Sequence, residues 1–363
     1  MTQVQPDELN HIAAGENLQN LRRMIVMMKK VICAAIAVSA LFAMLESAAV
    51  AAPLALNEKM VLAFMPKSVG GAWFTRMFEG VSKYAAESGS EVFQIGPSVG
   101  DAAAQNRNVQ DVIAQGVDAI GVTPFSPEQI DADLKKAKDA GIIVISSEGT
   151  NLSDSIDYDI EPFDGALFGA EVADLYNKSM GGKGEIIFFV GSLASTAHMS
   201  WTDGIVNAIK AKYPDLKVAN AGGVYIETGN NAANSYEKAK EALKAYPNAT
   251  GAWCPSSTDT PSIARAIEEA GLVGKMTYAA VGLPNATRTY IKNGSISYLT
   301  SWDPADIGLA ICKAAAAVKA GIQIKNGDNL GVFGYSALIL DGKVISGNEW
   351  RVITAEDVDK YDY

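Results

Sequence analysis

Cysteine and histidine are scarce in this chain: three and two, respectively, among 363 residues. So few thiols cannot staple a scaffold, and two imidazoles cannot make a His-rich metal centre, so neither metal nor cofactor is expected. The phosphate-binding glycine motifs are missing too. No G-x-G-x-x-G follows the first strand-like run, where Pro66-Lys67-Ser68-Val69-Gly70-Gly71 stands instead, and no G-x-x-x-x-G-K-[ST] occurs. Gly191-Ser192 lacks the G-x-S-x-G frame of a nucleophile elbow. With no nucleophile or cofactor motif, the chain is not expected to be an enzyme. Positive charge is also short, at 30 basic against 41 acidic residues for a net −11. The first 51 residues carry equal numbers of each sign, so the remainder holds the whole deficit. A body that acidic is repelled by phosphate backbones, which excludes nucleic acid as a partner.

What the chain has is a globular balance, 48% apolar and 20% charged. Its length suits two α/β lobes of about 120–170 residues each. Lys29-Lys30 precedes an uncharged apolar run over 31–45, shorter than the roughly twenty residues that span a bilayer. Small residues follow at Ala49-Val50-Ala51-Ala52. Basic start, short apolar middle and small-residue exit predict a secretory signal peptide ending near residue 51. Translation is expected to start at Met24, Met27 or Met28, which makes the polar stretch before them an extension. Cys33 lies only two residues into the run and follows Ile32, a poor candidate for lipid attachment, so the product is expected to be exported to the periplasm.

From residue 60 onward, short apolar runs alternate with longer amphipathic stretches. Strands are predicted at 60–65, 91–95, 119–123 and 142–145, with helices at 72–88, 102–115 and 127–140. A second series follows, with helices at 163–180, 201–213, 231–245 and 261–270, and strands at 185–190, 218–224, 251–254 and 276–281. Strands separated by helices imply parallel sheets with right-handed crossovers, and wound sheets bind ligands at the carboxyl ends of their strands. The tail adds a strand at 295–300, a helix at 307–320 and a hairpin at 337–345 turning on Asp341-Gly342. The fold class is therefore α/β, with two doubly wound parallel sheets joined by a hinge.

Residues just past each strand are the candidate site. After the first strand come Lys67, Trp73 and Phe74, whose rings either stack on the C–H face of a sugar or serve as core. After the fourth comes Glu148, whose carboxylate can accept from two adjacent hydroxyls or pair with Lys67. His198 and Met199 follow the first strand of the second series, with His198 either touching ligand or structural. Pro255, Ser257 and Asp259 follow Cys254, and Asp259 either faces the ligand or caps the helix opening at Pro261. Trp302 and Asp303 follow the last strand, with Asp303 as a second acceptor for hydroxyls. Cys254 and Cys312 read as two buried thiols more readily than as a disulfide.

Several of these segments carry a family resemblance. Gln115-Gly116-Val117-Asp118-Ala119-Ile120, Thr123-Pro124 and the run from Gly141 to Ser147 resemble the type I periplasmic sugar-binding proteins of ABC importers, the ribose-binding family. Within it, the likeness leans toward the autoinducer-2-binding and rhamnose-binding proteins. That leaning rests on Pro66-Lys67-Ser68-Val69-Gly70 with Trp73-Phe74, on Gly271-Leu272-Val273-Gly274-Lys275 with Gly282-Leu283-Pro284, on Trp302-Asp303-Pro304 and on Lys360-Tyr361-Asp362-Tyr363.

The resemblance implies a two-lobed periplasmic-binding-protein type I fold that closes on a monosaccharide or sugar alcohol. Residues 57–161 with 303–326 would form one lobe, and 162–302 with 327–363 the other. Lys67 matches the family's ligand-contacting lysine and Glu148 its acidic residue, usually aspartate. Pro255 and Ser257 match its backbone-contact segment. The chain departs from the autoinducer-2 binder in having Ala197-His198 where that family has Asp-Gln, and the Arg–Asp clamp of the ribose binder has no counterpart at Met199. Each cleft acceptor lost removes about 1.5–3 kcal/mol, which favours another small sugar or polyol over autoinducer-2. The implied partner is a membrane permease, met by a single copy of the chain. The alternatives are an autoinducer-2-type quorum-signal receptor and an exported sugar-acting enzyme.

Overall fold

A computed structural model describes residues 51–363; the expected leader lies outside the described residues, apart from its last residue. The first lobe winds β1 (Val61–Met65), α1 (Ala72–Ser88), β2 (Glu91–Gln94), α2 (Ala102–Gln115), β3 (Ala119–Val122), α3 (Pro127–Asp139), β4 (Ile143–Ser147) and β5 (Tyr158–Glu161). Alternation within β1 shows why this segment is a central strand. Leu62 and Phe64 join the core under α1, while Ala63 and Met65 join the opposite core with Val109, Val112, Ile130 and Leu134.

The second lobe winds α4 (Gly165–Ser179), β6 (Gly184–Val190), α5 (Thr196–Lys212), β7 (Leu216–Val218), β8 (Ile226–Glu227), α6 (Ala232–Ala245), β9 (Ala249–Cys254), α7 (Thr260–Glu269), β10 (Thr277–Val281), α8 (Pro284–Lys292) and β11 (Tyr298–Ser301). The chain then returns through α9 (Pro304–Lys319), the hairpin β12 (Ile339–Asp341) and β13 (Val344–Ser346), and β14 (Arg351–Ile353). The first sheet runs β12-β13-β5-β4-β3-β1-β2, and the second β14-β11-β10-β9-β6-β7 with β8 beside β6. All pairings are parallel except β12–β13 and β11–β14.

Three segments cross between the sheets: 162–164, 302–303 and 347–350. The hairpin corrects the expected division of the tail. Val344–Ser346 pairs in parallel with Asp159–Glu161 of the first sheet, so residues 339–346 do not belong to the second lobe. A hairpin is a local signal, but its docking partner lies some 185 residues upstream, beyond any short-range pattern.

Helix α9 is buried on every side from Ile307 to Ala317, which suits its run Ala314-Ala315-Ala316-Ala317. Its one buried cation, Lys313, is anchored on Leu56 O at 3.1 Å and Asn57 Oδ1 at 2.8 Å. Backbone meets backbone at its crossing with α1. A Cβ on Gly308 would lie 2.0 Å from Met77 O, and one on Gly80 1.8 Å from Ala305 O. In the second lobe Gly169 and Gly204 make the same close approach between α4 and α5.

Two predicted elements need correction near the cleft. Helix α5 starts at Thr196, five residues before the expected 201, because Ser195 caps it by accepting from His198 N. The strand expected over 218–224 ends at Val218. Gly222 and Gly223 then take left-handed φ of 67° and 72°, and the chain re-enters the sheet as β8 beside Phe189 and Val190. A helix that the sequence reading does not place, α8, opens on Pro284. Cys254 and Cys312 are free, buried and in different lobes, as two core thiols would be.

Candidate functional site

The strand ends of both sheets face one cavity of about 520 Å³, within the size range of small-molecule sites. Lys67, Trp73, Phe74, Glu148, His198, Pro255, Ser257 and Trp302 line it. Lys67 leaves β1 and Glu148 leaves β4, two strands apart in the same sheet, and their side chains form an ion pair that is 10% and 8% exposed. Lys67 Nζ also lies 3.5 Å from Ser195 Oγ, a contact between the lobes. Among the described residues, no other charged side chain lines the cavity.

Backbone strain marks the same place. Among the described residues, the non-glycine positions with positive φ are Glu148 at 60° and Asn230 at 51°. Both line the cavity, one from each lobe. Such conformations persist where surrounding contacts impose them, and they cluster at functional sites.

The second lobe supplies neutral polar groups. His198 is 6% exposed and its Nδ1 has no partner within the described residues. Burial, reinforced by the charge of Lys67, holds its pKa well below the usual histidine value. The imidazole is therefore neutral at physiological pH and offers one donor and one acceptor. Asn230 Oδ1 accepts from Ser256 Oγ at 3.0 Å, which leaves the amide nitrogen to donate elsewhere. Gly191 makes this arrangement possible, since a Cβ there would fall 2.0 Å from Asn230 Oδ1 and 2.8 Å from His198 Cε1.

Aromatic rings form one wall. Trp302 stands edge-on to Trp73, Phe163 and Trp201, with centroids 5.0, 5.1 and 5.3 Å away. Trp73 comes from the first lobe, Trp201 from the second, and Phe163 and Trp302 from the crossings. Perpendicular rings of this kind are favoured by their quadrupoles, and the cluster fixes the wall where the lobes join.

Three expected site residues are not on the cavity. Asp303 faces α1, where Arg76 holds it at two points, Nε–Oδ1 at 2.9 Å and Nη2–Oδ2 at 2.6 Å. Its carboxylate also accepts from Ala305 N, capping α9. These three bonds hold the carboxylate against α1 and the start of α9, off the cavity. Asp259 is fully buried and accepts from Thr228 Oγ1 at 2.5 Å without capping α7. It ties β8 to the second sheet, so neither reading of it from the sequence holds. Met199 is half-buried and packs against the core, because that segment is helical and sets successive side chains about 100° apart.

Lining residues that the sequence did not mark as candidates include Trp201, Gly229, Asn230 and Ser256. Thr228-Gly229-Asn230-Asn231 carries a turn signal, but only the re-entry of β8 brings it to the cleft.

The periplasmic binding protein domain family profile matches residues 62–323. The xylitol-binding protein of Mycolicibacterium smegmatis is 29% identical over 147 residues, 40% of this chain and 41% of that protein. The D-allose-binding periplasmic protein of Escherichia coli is 24% identical over 256 residues, 67% of this chain and 79% of that protein. Among solved structures, LsrB from Clostridium saccharobutylicum in complex with AI-2 superposes with a TM-score of 0.75 at 22% identity. That superposition covers 84% of this chain and 100% of the other.

Proposed function

The chain belongs to the periplasmic binding protein domain family, and on that premise we propose that it is an exported receptor for a neutral, hydroxyl-rich molecule. The ligand class is a monosaccharide or a sugar alcohol, held between the lobes and delivered to the permease subunits of an ABC importer. The receptor acts as a single copy in the periplasm and performs no chemistry on its cargo.

The observation that carries this reading is the charge balance of the cavity. Its two charged side chains, Lys67 and Glu148, neutralise each other. A charged ligand would have to break that pair or bury an ion without a partner, which costs several kcal/mol. A neutral polyol leaves the pair intact. Its hydroxyls can donate to the free lone pairs of Glu148 and exchange hydrogen bonds with His198, Asn230 and the Ser256-Ser257 segment, while its C–H face meets the aromatic wall. The names of the curated relatives, binders of xylitol and of D-allose, point the same way.

Lobe closure about the three crossings would create contacts that exist only with ligand present, which is what biases the hinge. A micromolar dissociation constant corresponds to about −8 kcal/mol, within reach of a few charge-assisted hydrogen bonds and one buried ring face.

The test is a thermal-shift panel of pentoses, hexoses, deoxysugars, pentitols, hexitols, autoinducer-2 and amino acids. A ligand at a hundred times its dissociation constant adds about 2.7 kcal/mol, which raises the melting temperature of a domain pair this size by about 4 °C. At least one neutral sugar or polyol is expected to do so. A shift with an amino acid and with no sugar or polyol would overturn the ligand class.

A further inference from the structure

Beneath the cleft lies a second pair of acids that touches no ligand space. Asp159 and Glu161 are two apart on β5 and so share one face of the strand. Both are buried, at 0% and 5% exposure. Asp159 Oδ1 accepts from Ser146 Oγ at 2.5 Å and from Gly149 N at 3.0 Å. Glu161 faces the backbone N–H of Glu148. The two acids therefore hold, from below, the turn Ser146-Ser147-Glu148-Gly149, whose left-handed Glu148 presents its carboxylate to the cleft.

The remaining oxygens reveal a missing hydrogen. Asp159 Oδ2 and Glu161 Oε1 are buried with no donor from any described residue, yet the two side chains lie within hydrogen-bonding reach of each other. As two carboxylates they would repel in a dry site. As an acid and its conjugate base they satisfy each other.

We propose that Asp159 and Glu161 hold one proton between them and act as positioning residues for Glu148, so that losing this proton loosens the grip on the ligand. The turn is built for that arrangement. A Cβ on Gly149 would sit 3.1 Å from Asp159 Oδ1 and 3.0 Å from Ser146 Oγ, so a side chain there would crowd the contact with Asp159.

The titratable groups around the pair favour keeping the proton. Glu148 is the nearest, with its counter-ion Lys67 beyond it in the cleft. Tyr335 donates to the backbone oxygen of Glu161, and Glu349 and Asp306 lie behind Tyr335. Lys343 meets Asp159 only through its backbone oxygen, and its ammonium is turned to Ser153 O and Ile156 O. Burial first, then mutual repulsion, raises both carboxyls above the ordinary range. A carboxyl raised by folding stabilises while protonated and loses that contribution as pH rises through its folded value. The effect is therefore expected on the alkaline side.

The proposal rests on the ligand reading for its consequence but not for the proton itself, so the test has two arms. Without ligand, wild type, Glu161→Gln and Asp159→Asn are melted at a series of pH values from the acid to the alkaline side of neutrality. Wild type is expected to lose about 5 °C more than either amide variant, which keeps a donor at every pH. The Gly149 amide resonance should move over the same range in wild type alone. With xylitol and D-allose as probes, wild-type affinity should fall roughly tenfold across the range and Glu161→Gln affinity less than about twofold. Equal pH slopes in wild type and in whichever amide variant folds would overturn the shared proton. A shared proton with no change in wild-type affinity would overturn the positioning role. If neither probe binds wild type at the acid end of the series, the ligand reading fails for those probes, and the melts and the Gly149 resonance still decide the proton.

Discussion

Glu148→Ala is expected to lower affinity for the neutral ligand by about 100-fold or more. The carboxylate has four lone-pair positions, and Lys67 uses one side of it. Two ligand hydroxyls donating to the rest contribute about 1.5–3 kcal/mol each, which at 1.4 kcal/mol per decade sums to at least two decades. Titration calorimetry of the variant against the wild-type ligand checks this.

The same position separates function from strain. Glu148 sits at φ 60°, where an L side chain costs about 1–2 kcal/mol and glycine costs nothing. Glu148→Gly is therefore expected to bind as poorly as Glu148→Ala yet melt higher than it, by about 2 °C or more. Wild-type affinity in either variant would mean that the carboxylate does not meet the ligand.

Gly308→Ala is expected to cost about 3 kcal/mol of stability, the upper end for overpacking, and to lower the melting temperature by about 6 °C or more. The new Cβ would fall 2.0 Å from the carbonyl oxygen of Met77, and a backbone atom cannot rotate away as a side-chain tip can. The helices would have to part, and α9 is the buried helix on which α1 and strands β3, β4 and β5 all rest. Parting them opens the core of the first lobe. Gly141→Ala is a useful contrast: its Cβ would meet nothing within 4 Å, so its only penalty is the left-handed backbone. A Gly308→Ala melt no lower than that of Gly141→Ala would contradict the backbone-on-backbone crossing.

Much of this architecture was legible because wound α/β chains repeat a local rule. The apolar pattern places β1, β2, β3 and β4 to within two residues, since their ends are set by Gly89, Gly116 and Gly141 and by polar caps nearby. The strand-end rule then delivered Lys67, Glu148, His198, Pro255, Ser257 and Trp302 to one cavity. It failed where chain geometry after the strand decides. Asp303 obeys the rule by position, but Arg76 from α1 claims both its oxygens, a pairing across more than 200 residues. Met199 lies beside His198 in sequence, and the helical twist turns it off the cavity to pack against the core. Asn230 was hidden for the opposite reason. The strand pattern over 218–224 masked Gly222-Gly223, and the true edge strand is two residues long, too short to leave a periodic signal. The acid pair beneath the turn was illegible as well, because Asp159 and Glu161 lie on a strand the pattern did not reveal.

The most direct test of the central claim, that a self-neutralised ion pair makes the cleft select an uncharged molecule, is a matched titration. Calorimetry compares the sugar or polyol that scores in the thermal panel with the corresponding sugar acid, identical but for a carboxylate. The neutral compound should bind at least about 100-fold more tightly, since the acid must bury a charge beside Glu148. Equal or tighter binding of the acid would show that Lys67 is free to take an anion, and the account given for the cleft would be wrong.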